Sequence, residues 1–307
     1  MNLREWALPF YTILVQMAYG TFFYLWVWRL WSSRQYPTAS INRISLYPMA
    51  VIVITLFVGM FGAHFHLSSP FLSFLAMMNL SQSWLSREIL FSTTFSILTF
   101  VILWFITFNN KKWENWLNWL WFFSILVGFS LILSMSNIYL LPAQIAWNSV
   151  STHFYFFSTS FLLGGVTLVC LFLLELQFAE LKSLPEIDLR ETSIGAWVGR
   201  IFIHSMVLIV IGAIVLIWQL QQLSSGNQYA QTSFQLFTGV YFPLLVIKFI
   251  FALIGLIILG NSSYIFFMGK VRLSSLLQPV TISCLLILIS EILGRFIFYA
   301  THIRIGV

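Results

Sequence analysis

The chain has 307 residues, 60% of them hydrophobic and 8% charged, against roughly 25% charged in an ordinary soluble domain. With 15 basic and 9 acidic side chains it lacks the polar surface to cover a water-soluble globule, so most of its apolar surface must face lipid or other apolar helices. The formal net charge of +6 comes from basic residues dispersed between apolar runs, with no dense patch of the kind that binds nucleic acid.

One helical crossing takes about 20 apolar residues for a hydrocarbon core of about 30 Å. Eight runs of that size follow one another, at 9–31, 46–66, 89–108, 116–138, 154–176, 196–220, 240–259 and 276–300. They predict an all-α integral membrane protein, a polytopic bundle of eight transmembrane helices forming a single membrane domain over 1–307. A membrane β-barrel would need segments of about 10 residues that alternate polar and apolar, and runs such as 51–61 and 207–217 do not alternate. The first run stays apolar past Ala18 and Gly20 and exceeds a signal-peptide core, so it reads as a retained helix.

The basic residues between the runs predict orientation. Loops after the odd-numbered helices hold Arg29, Arg34, Arg43, Lys111, Lys112, Lys182, Arg190, Arg200, Lys270 and Arg272, whereas the opposite face holds Arg4, Arg87 and Arg304. The positive-inside rule places the first set in the cytoplasm and both termini outside, in the periplasm. The longest connecting segments, 67–87, 177–195 and 221–239, are too short to bury a core, so any cofactor-bearing domain belongs to another chain. No P-loop, G-x-G-x-x-G or G-x-S-x-G pattern occurs, which removes nucleotide-driven transport and serine hydrolysis. Cys170 and Cys284 lie inside apolar runs without C-x-x-C spacing and read as buried structural thiols. No residue set on this chain reads as a metal site.

Polar side chains within or beside the apolar runs are informative, because charges there cost about 2.5–3.5 kcal/mol on insertion scales. His64 and His66 lie at the outer end of the second helix, Glu88 at the start of the third and His153 at the start of the fifth. Glu291, Arg295 and His302 occupy the outer part of the eighth, and Lys248 lies roughly 12 Å into the seventh at 1.5 Å per residue. Ser69-Pro70 reads as a helix start, with an interfacial segment behind it; Ser83 or Ser86 reads as a second start, leading into the third helix. This arrangement brings His66 and Glu88 over a pocket lined by Phe65, Leu67, Trp84 and Leu85, where both can accept protons from a lipid-soluble hydroxyl compound. His64 points elsewhere and reads as structural. Glu88 alone is also an ordinary favourable charge at a helix N-terminus, and His66 alone an interfacial histidine. Arg87 either holds Glu88 ionised or steers a partner subunit. Glu291 and Arg295 are four apart and predict a salt bridge on one helix face; Lys248 snorkels or pairs with a carboxylate or carbonyl.

These residues also carry a resemblance. His66-Leu67-Ser68-Ser69-Pro70, then Asn79-Leu80, then Ser83-Trp84-Leu85-Ser86-Arg87-Glu88-Ile89 resembles the signature of the membrane anchor subunit of bacterial dimethyl sulfoxide reductases. Glu291-Ile292-Leu293-Gly294-Arg295, with Phe298-Tyr299 and His302, is similar to that family's last helix. Weaker matches are Ile138-Tyr139, Trp147-Asn148-Ser149 and Phe161-Leu162-Leu163-Gly164-Gly165. Ser68 stands where a glycine is usual.

The resemblance implies an anchor in the bacterial inner membrane that oxidises menaquinol in anaerobic respiration. It implies as partners a four-cluster iron–sulfur subunit and a molybdopterin catalytic subunit, with no haem on this chain and no catalytic residue of the terminal reduction. In that family the matching histidine and glutamate are associated with quinol binding, which maps the role onto His66 and Glu88, with Arg87, Glu291, Arg295 and His302 as supporting residues. Two other classes stay open on the residues alone. A cytochrome b type anchor needs histidine pairs at two depths on facing helices, whereas His66, His153 and His302 are near one surface and His204 toward the other. A secondary transporter is expected to show internal repeats and helices broken at the midplane, and neither is evident.

Overall fold

The computed structural model of the protein describes residues 3–64, 78–108, 114–181, 187–269 and 271–303. Among them, eight helices are long and apolar enough to cross a membrane, as the eight runs predict. They are α1 (Leu3–Ser32), α2 (Thr38–His64), α3 (Trp84–Phe108), α4 (Glu114–Asn137), α5 (Val150–Leu181), α6 (Ile187–Ser224), α8 (Phe242–Phe267) and α9 (Leu277–Ala300), with a short α7 (Gln228–Gln235) before α8.

Most helices extend beyond their apolar runs. In hydrocarbon every backbone N–H and C=O must be satisfied within the segment, and nothing in the adjoining polar turns stops the ladder at the lipid boundary. Thus α2 starts at Thr38, and α5 and α6 extend into much of the segment 177–195 that the sequence reads as loop. The polar stretch 221–239 also contains structure that hydropathy does not reveal. Asn227 caps α7 by accepting the Ala230 N–H at 3.0 Å, a preferred N-cap residue in its usual role. A π-helical turn follows at Leu236–Val240. Pro243 then opens α8, in the first turn, where its missing N–H costs no hydrogen bond.

The helices α1 and α5 form the seam of the bundle. The apolar windows of both are 67% buried, against 11% for α6 and 22% for α8, so the first pair is core and the second faces lipid. Around the seam, α1 packs on α2, α3 on α2 and α4, α5 on α6 and α9, and α8 on α9. Small residues set the closest approach, as is common where lipid removes the hydrophobic drive between helices. A Cβ on Gly20 would lie 1.7 Å from the Ser160 carbonyl oxygen, and one on Gly164 would lie 2.1 Å from the Gly20 carbonyl carbon. The two backbones therefore touch directly at this crossing.

At the end opposite the candidate site, Arg29 is buried rather than a loop residue. Its guanidinium donates to Ser45 Oγ at 2.8 Å and Asn42 Oδ1 at 2.7 Å and lies over the Trp121 ring. It thus fastens the last turn of α1 to the polar first turns of α2.

Candidate functional site

The start of α3 aims Glu88 into the bundle. Ser83 Oγ accepts the Ser86 N–H at 3.3 Å, so Ser83 is the N-cap and the helix begins at Trp84, one of the two starts the sequence offers. Arg87 turns back: Nε donates to the Leu80 carbonyl at 2.8 Å and Nη2 to the Ser81 carbonyl at 2.7 Å. Its guanidinium also lies 4.2 Å from the centre of the Trp84 ring. Arg87 therefore ties the entering loop to the first turn of α3.

Glu88 is 5% exposed. The Tyr11 hydroxyl of α1 donates to its carboxylate and also lies within hydrogen-bond reach of Ser92, one turn further along α3. Trp84 and Leu85 are 38% and 48% exposed, whereas Glu88 is turned toward Tyr11. His66, with Phe65, Leu67, Ser69 and Pro70, lies outside the described residues, as does the side chain of His64.

A second polar layer adjoins Glu88. Tyr139 and Tyr299 share a hydrogen bond of 2.5 Å between their hydroxyls, Thr12 hydrogen-bonds Tyr299, and both tyrosines lie close enough to Glu88 and Arg295 to feel their charges. Trp147 braces the layer: its indole N–H donates to the Phe298 carbonyl at 2.7 Å, and its ring stacks on Phe298 and on His302. His302 Nδ1 contacts the Tyr299 carbonyl at 2.5 Å. The end of α9 is thereby locked onto the connection between α4 and α5.

The expected Glu291–Arg295 salt bridge is not formed. Glu291 instead pairs with Lys248 of α8 at 2.9 Å and accepts from Thr159 of α5 at 2.5 Å. Arg295 donates to Gln16 Oε1 of α1 at 2.7 Å and lies 4.0 Å from the centre of the Phe156 ring. Spacing of four makes two residues neighbours on an isolated helix, but here three other helices offer each a closer partner. Gly294 permits the Lys248 contact, since a Cβ there would lie 2.7 Å from Lys248 Nζ. Ser290 Oγ holds the Lys248 carbonyl at 2.9 Å, fixing the register of α8 on α9. Removing one partner of a fully buried pair strands the other charge at a cost of about 3–5 kcal/mol, and this pair, with side chains 21% and 11% exposed, should cost somewhat less. Lys248→Met is accordingly expected to lower the thermal midpoint in detergent sharply, and adding Glu291→Gln to restore most of the loss. A double variant no more stable than Lys248→Met alone would show that the pair is not what the lysine supplies.

The remaining histidines are scattered. His153 Nδ1 meets Ser136 Oγ at 2.7 Å, and His204 stacks on Tyr24 with ring centres 6.1 Å apart. Sequence reasoning missed Tyr11 and Gln16 altogether, and found Tyr139 and Tyr299 only as matches in a resemblance. Their signal is faint because tyrosine scores as apolar in a hydropathy window while its hydroxyl still needs a partner when buried.

Eight apolar helices enclosing a carboxylate–tyrosine layer at one end define a polytopic, all-helical membrane protein with a polar site inside the bundle. The family model described as DMSO reductase anchor subunit (DmsC) matches residues 1–301, nearly the whole chain, and the chain belongs to that family. It is a multi-pass membrane protein with the role of an anchor subunit, associated with a DMSO reductase complex. A comparison with curated proteins gives no match.

Proposed function

We propose that this anchor subunit oxidises menaquinol and delivers the electrons to a partner iron–sulfur subunit carrying four clusters. From there they pass to a molybdopterin subunit that reduces the terminal acceptor. The observation that carries the reading is Glu88, a carboxylate buried within the bundle and hydrogen-bonded to Tyr11 beside the Tyr139–Tyr299 layer. A membrane-buried carboxylate is costly and marks a proton or substrate pathway by default. Oxidation of a quinol releases two protons with two electrons, so its site needs acceptors for both protons.

In this reading one hydroxyl of the quinol loses its proton to His66 and the other side of the site is served by Glu88. The phenol layer orders the carboxylate and carries no redox centre of its own. With the site on the outer face, the side the basic loops assign to it, and the partner subunits on that same side, proton release and the proton uptake of substrate reduction occur together. The reaction is then electroneutral.

Mild-detergent purification followed by identification of the co-purifying subunits tests the assembly. A complex with molybdenum and about sixteen irons is what four four-iron clusters would give, and it should oxidise a menaquinol analogue. A chain that purifies with neither metal overturns the proposal.

A further inference from the structure

A second site lies on the other side of Arg295. Helices α5, α6, α8 and α9 surround a partly open cavity of about 100 Å³. It runs from Trp147 and Thr301, at the helix ends, down to Ala252, ten residues into α8, or roughly 15 Å at 1.5 Å per residue. Its lower wall is apolar and lies on α6 and α8, the two helices least buried in the bundle. Gly212 is part of that wall, and a Cβ added there would meet nothing within 4 Å.

The upper wall carries Arg295, Lys248 and Glu291. The acceptors around them are already engaged. Both Glu291 oxygens accept from the protein, one from Lys248 and one from Thr159. Gln219 accepts from the Tyr155 hydroxyl at 2.9 Å and donates to the Ala146 carbonyl at 2.9 Å, and the Lys248 carbonyl accepts from Ser290. The unused capacity is on the donor side. Arg295 is 5% exposed and its one hydrogen bond is to a neutral amide, although a guanidinium carries five N–H donors and an ammonium three.

The charges point the same way. Two cations face one carboxylate, which leaves one positive charge in excess on this wall; Glu88 lies beyond the Tyr139–Tyr299 layer and shares no ion pair with Arg295. Excess charge in a low-dielectric site is expensive unless paired, and Arg matches the oxygens of a phosphate or carboxylate. Arg295 is five residues before the end of α9, about 8 Å below it, within reach of a lipid head at the interface. The acceptors nearest these cations each already carry a hydrogen bond from the protein, so the wall favours a ligand that accepts hydrogen bonds over a quinol, whose hydroxyls donate.

We propose that this cavity binds an anionic amphiphile, with its phosphate or carboxylate head on Arg295 and Lys248 and its acyl chain leaving between α6 and α8. The intact complex, purified in mild detergent and stripped of loosely bound lipid, is incubated with phosphatidylglycerol, phosphatidylcholine, oleate or menaquinone and read by native mass spectrometry. One phosphatidylglycerol per chain is expected to be retained about tenfold better than phosphatidylcholine, the worth of about 1.4 kcal/mol. Arg295→Gln should lower that retention by about the same factor. Gly212→Leu, which fills the chain-binding space without touching a charge, should lower it with the thermal midpoint unchanged, so the test stands even where Arg295→Gln does not fold.

Oleate retained in place of phosphatidylglycerol, with the same sensitivity to both variants, supports the site and assigns the carboxylate as its source. Equal retention of the two phospholipids, or retention of phosphatidylglycerol that Gly212→Leu leaves unchanged, overturns the proposal. Menaquinone that displaces phosphatidylglycerol and is lost in both variants overturns it in favour of a neutral ligand. None of these outcomes depends on the reading of Glu88.

Discussion

Glu88→Gln is expected to lower menaquinol-dependent reduction by about a hundredfold or more, the usual contribution of a positioned proton acceptor. Glutamine keeps the size of the side chain and an oxygen for the Tyr11 hydroxyl, so the packing of α1 on α3 survives while proton acceptance is lost. Reduction by an artificial dye that donates directly to the partner subunits should be unchanged, and it serves as the check that the complex has assembled. His66→Gln should behave in the same way. Tyr11→Phe leaves the carboxylate in place and removes the hydroxyl that orients it, so a smaller loss, about tenfold, is expected, on the scale of a single hydrogen bond to a charged group. Wild-type quinol turnover in Glu88→Gln, with dye reduction intact, would remove Glu88 from the reaction.

Gly164→Ala and Gly20→Ala should each destabilise the bundle by about 1–3 kcal/mol, the range for added volume in a packed core. The added methyl would meet backbone, at 2.1 Å from Gly20 and 1.7 Å from Ser160 respectively, and backbone cannot swing aside as a side chain can. The seam between α1 and α5 must therefore open, moving Tyr11, Thr12 and Gln16 on one side and Phe156 and Thr159 on the other. Both polar layers would loosen with it. Gly212→Ala is the control: with nothing within 4 Å of its Cβ, it should be neutral, or stabilising by up to about 1 kcal/mol from helix propensity. Thermal unfolding of the three variants in one detergent gives the comparison. A Gly164→Ala protein that melts at or above wild type would mean that the backbones are not in contact there.

The apolar runs could be read from composition because the bilayer imposes a length and forbids unsatisfied backbone, which leaves a helix as the only element for such a run. Their ends were less legible. Thr38 to Ser45 and the polar residues around 187–195 carry no hydropathy signal, yet they continue helices because the hydrogen-bond ladder does not stop at the lipid boundary. In the candidate site, Glu88 was legible as a rare carboxylate at a capped helix start. Tyr11 was not, since a tyrosine in an apolar run looks like packing until a carboxylate is placed beside it.

The number and order of the membrane-spanning helices and the family of the chain were thus determined by the sequence alone, since each rests on local length or a contiguous motif, whereas the choice of Ser83 over Ser86 as the cap of α3 was made by the structure. Which polar groups meet was decided only by the tertiary structure. Glu291 had a cation four residues away on its own helix and took Lys248 of α8 instead, because Gly294 lets that lysine pass over α9 and Thr159 completes the carboxylate from α5. Arg295, released from that pairing, turned to Gln16 and to a cavity wall. Partner choice between helices depends on the interhelical distance set by residues such as Gly20 and Gly164, and no periodicity along a single helix contains that distance.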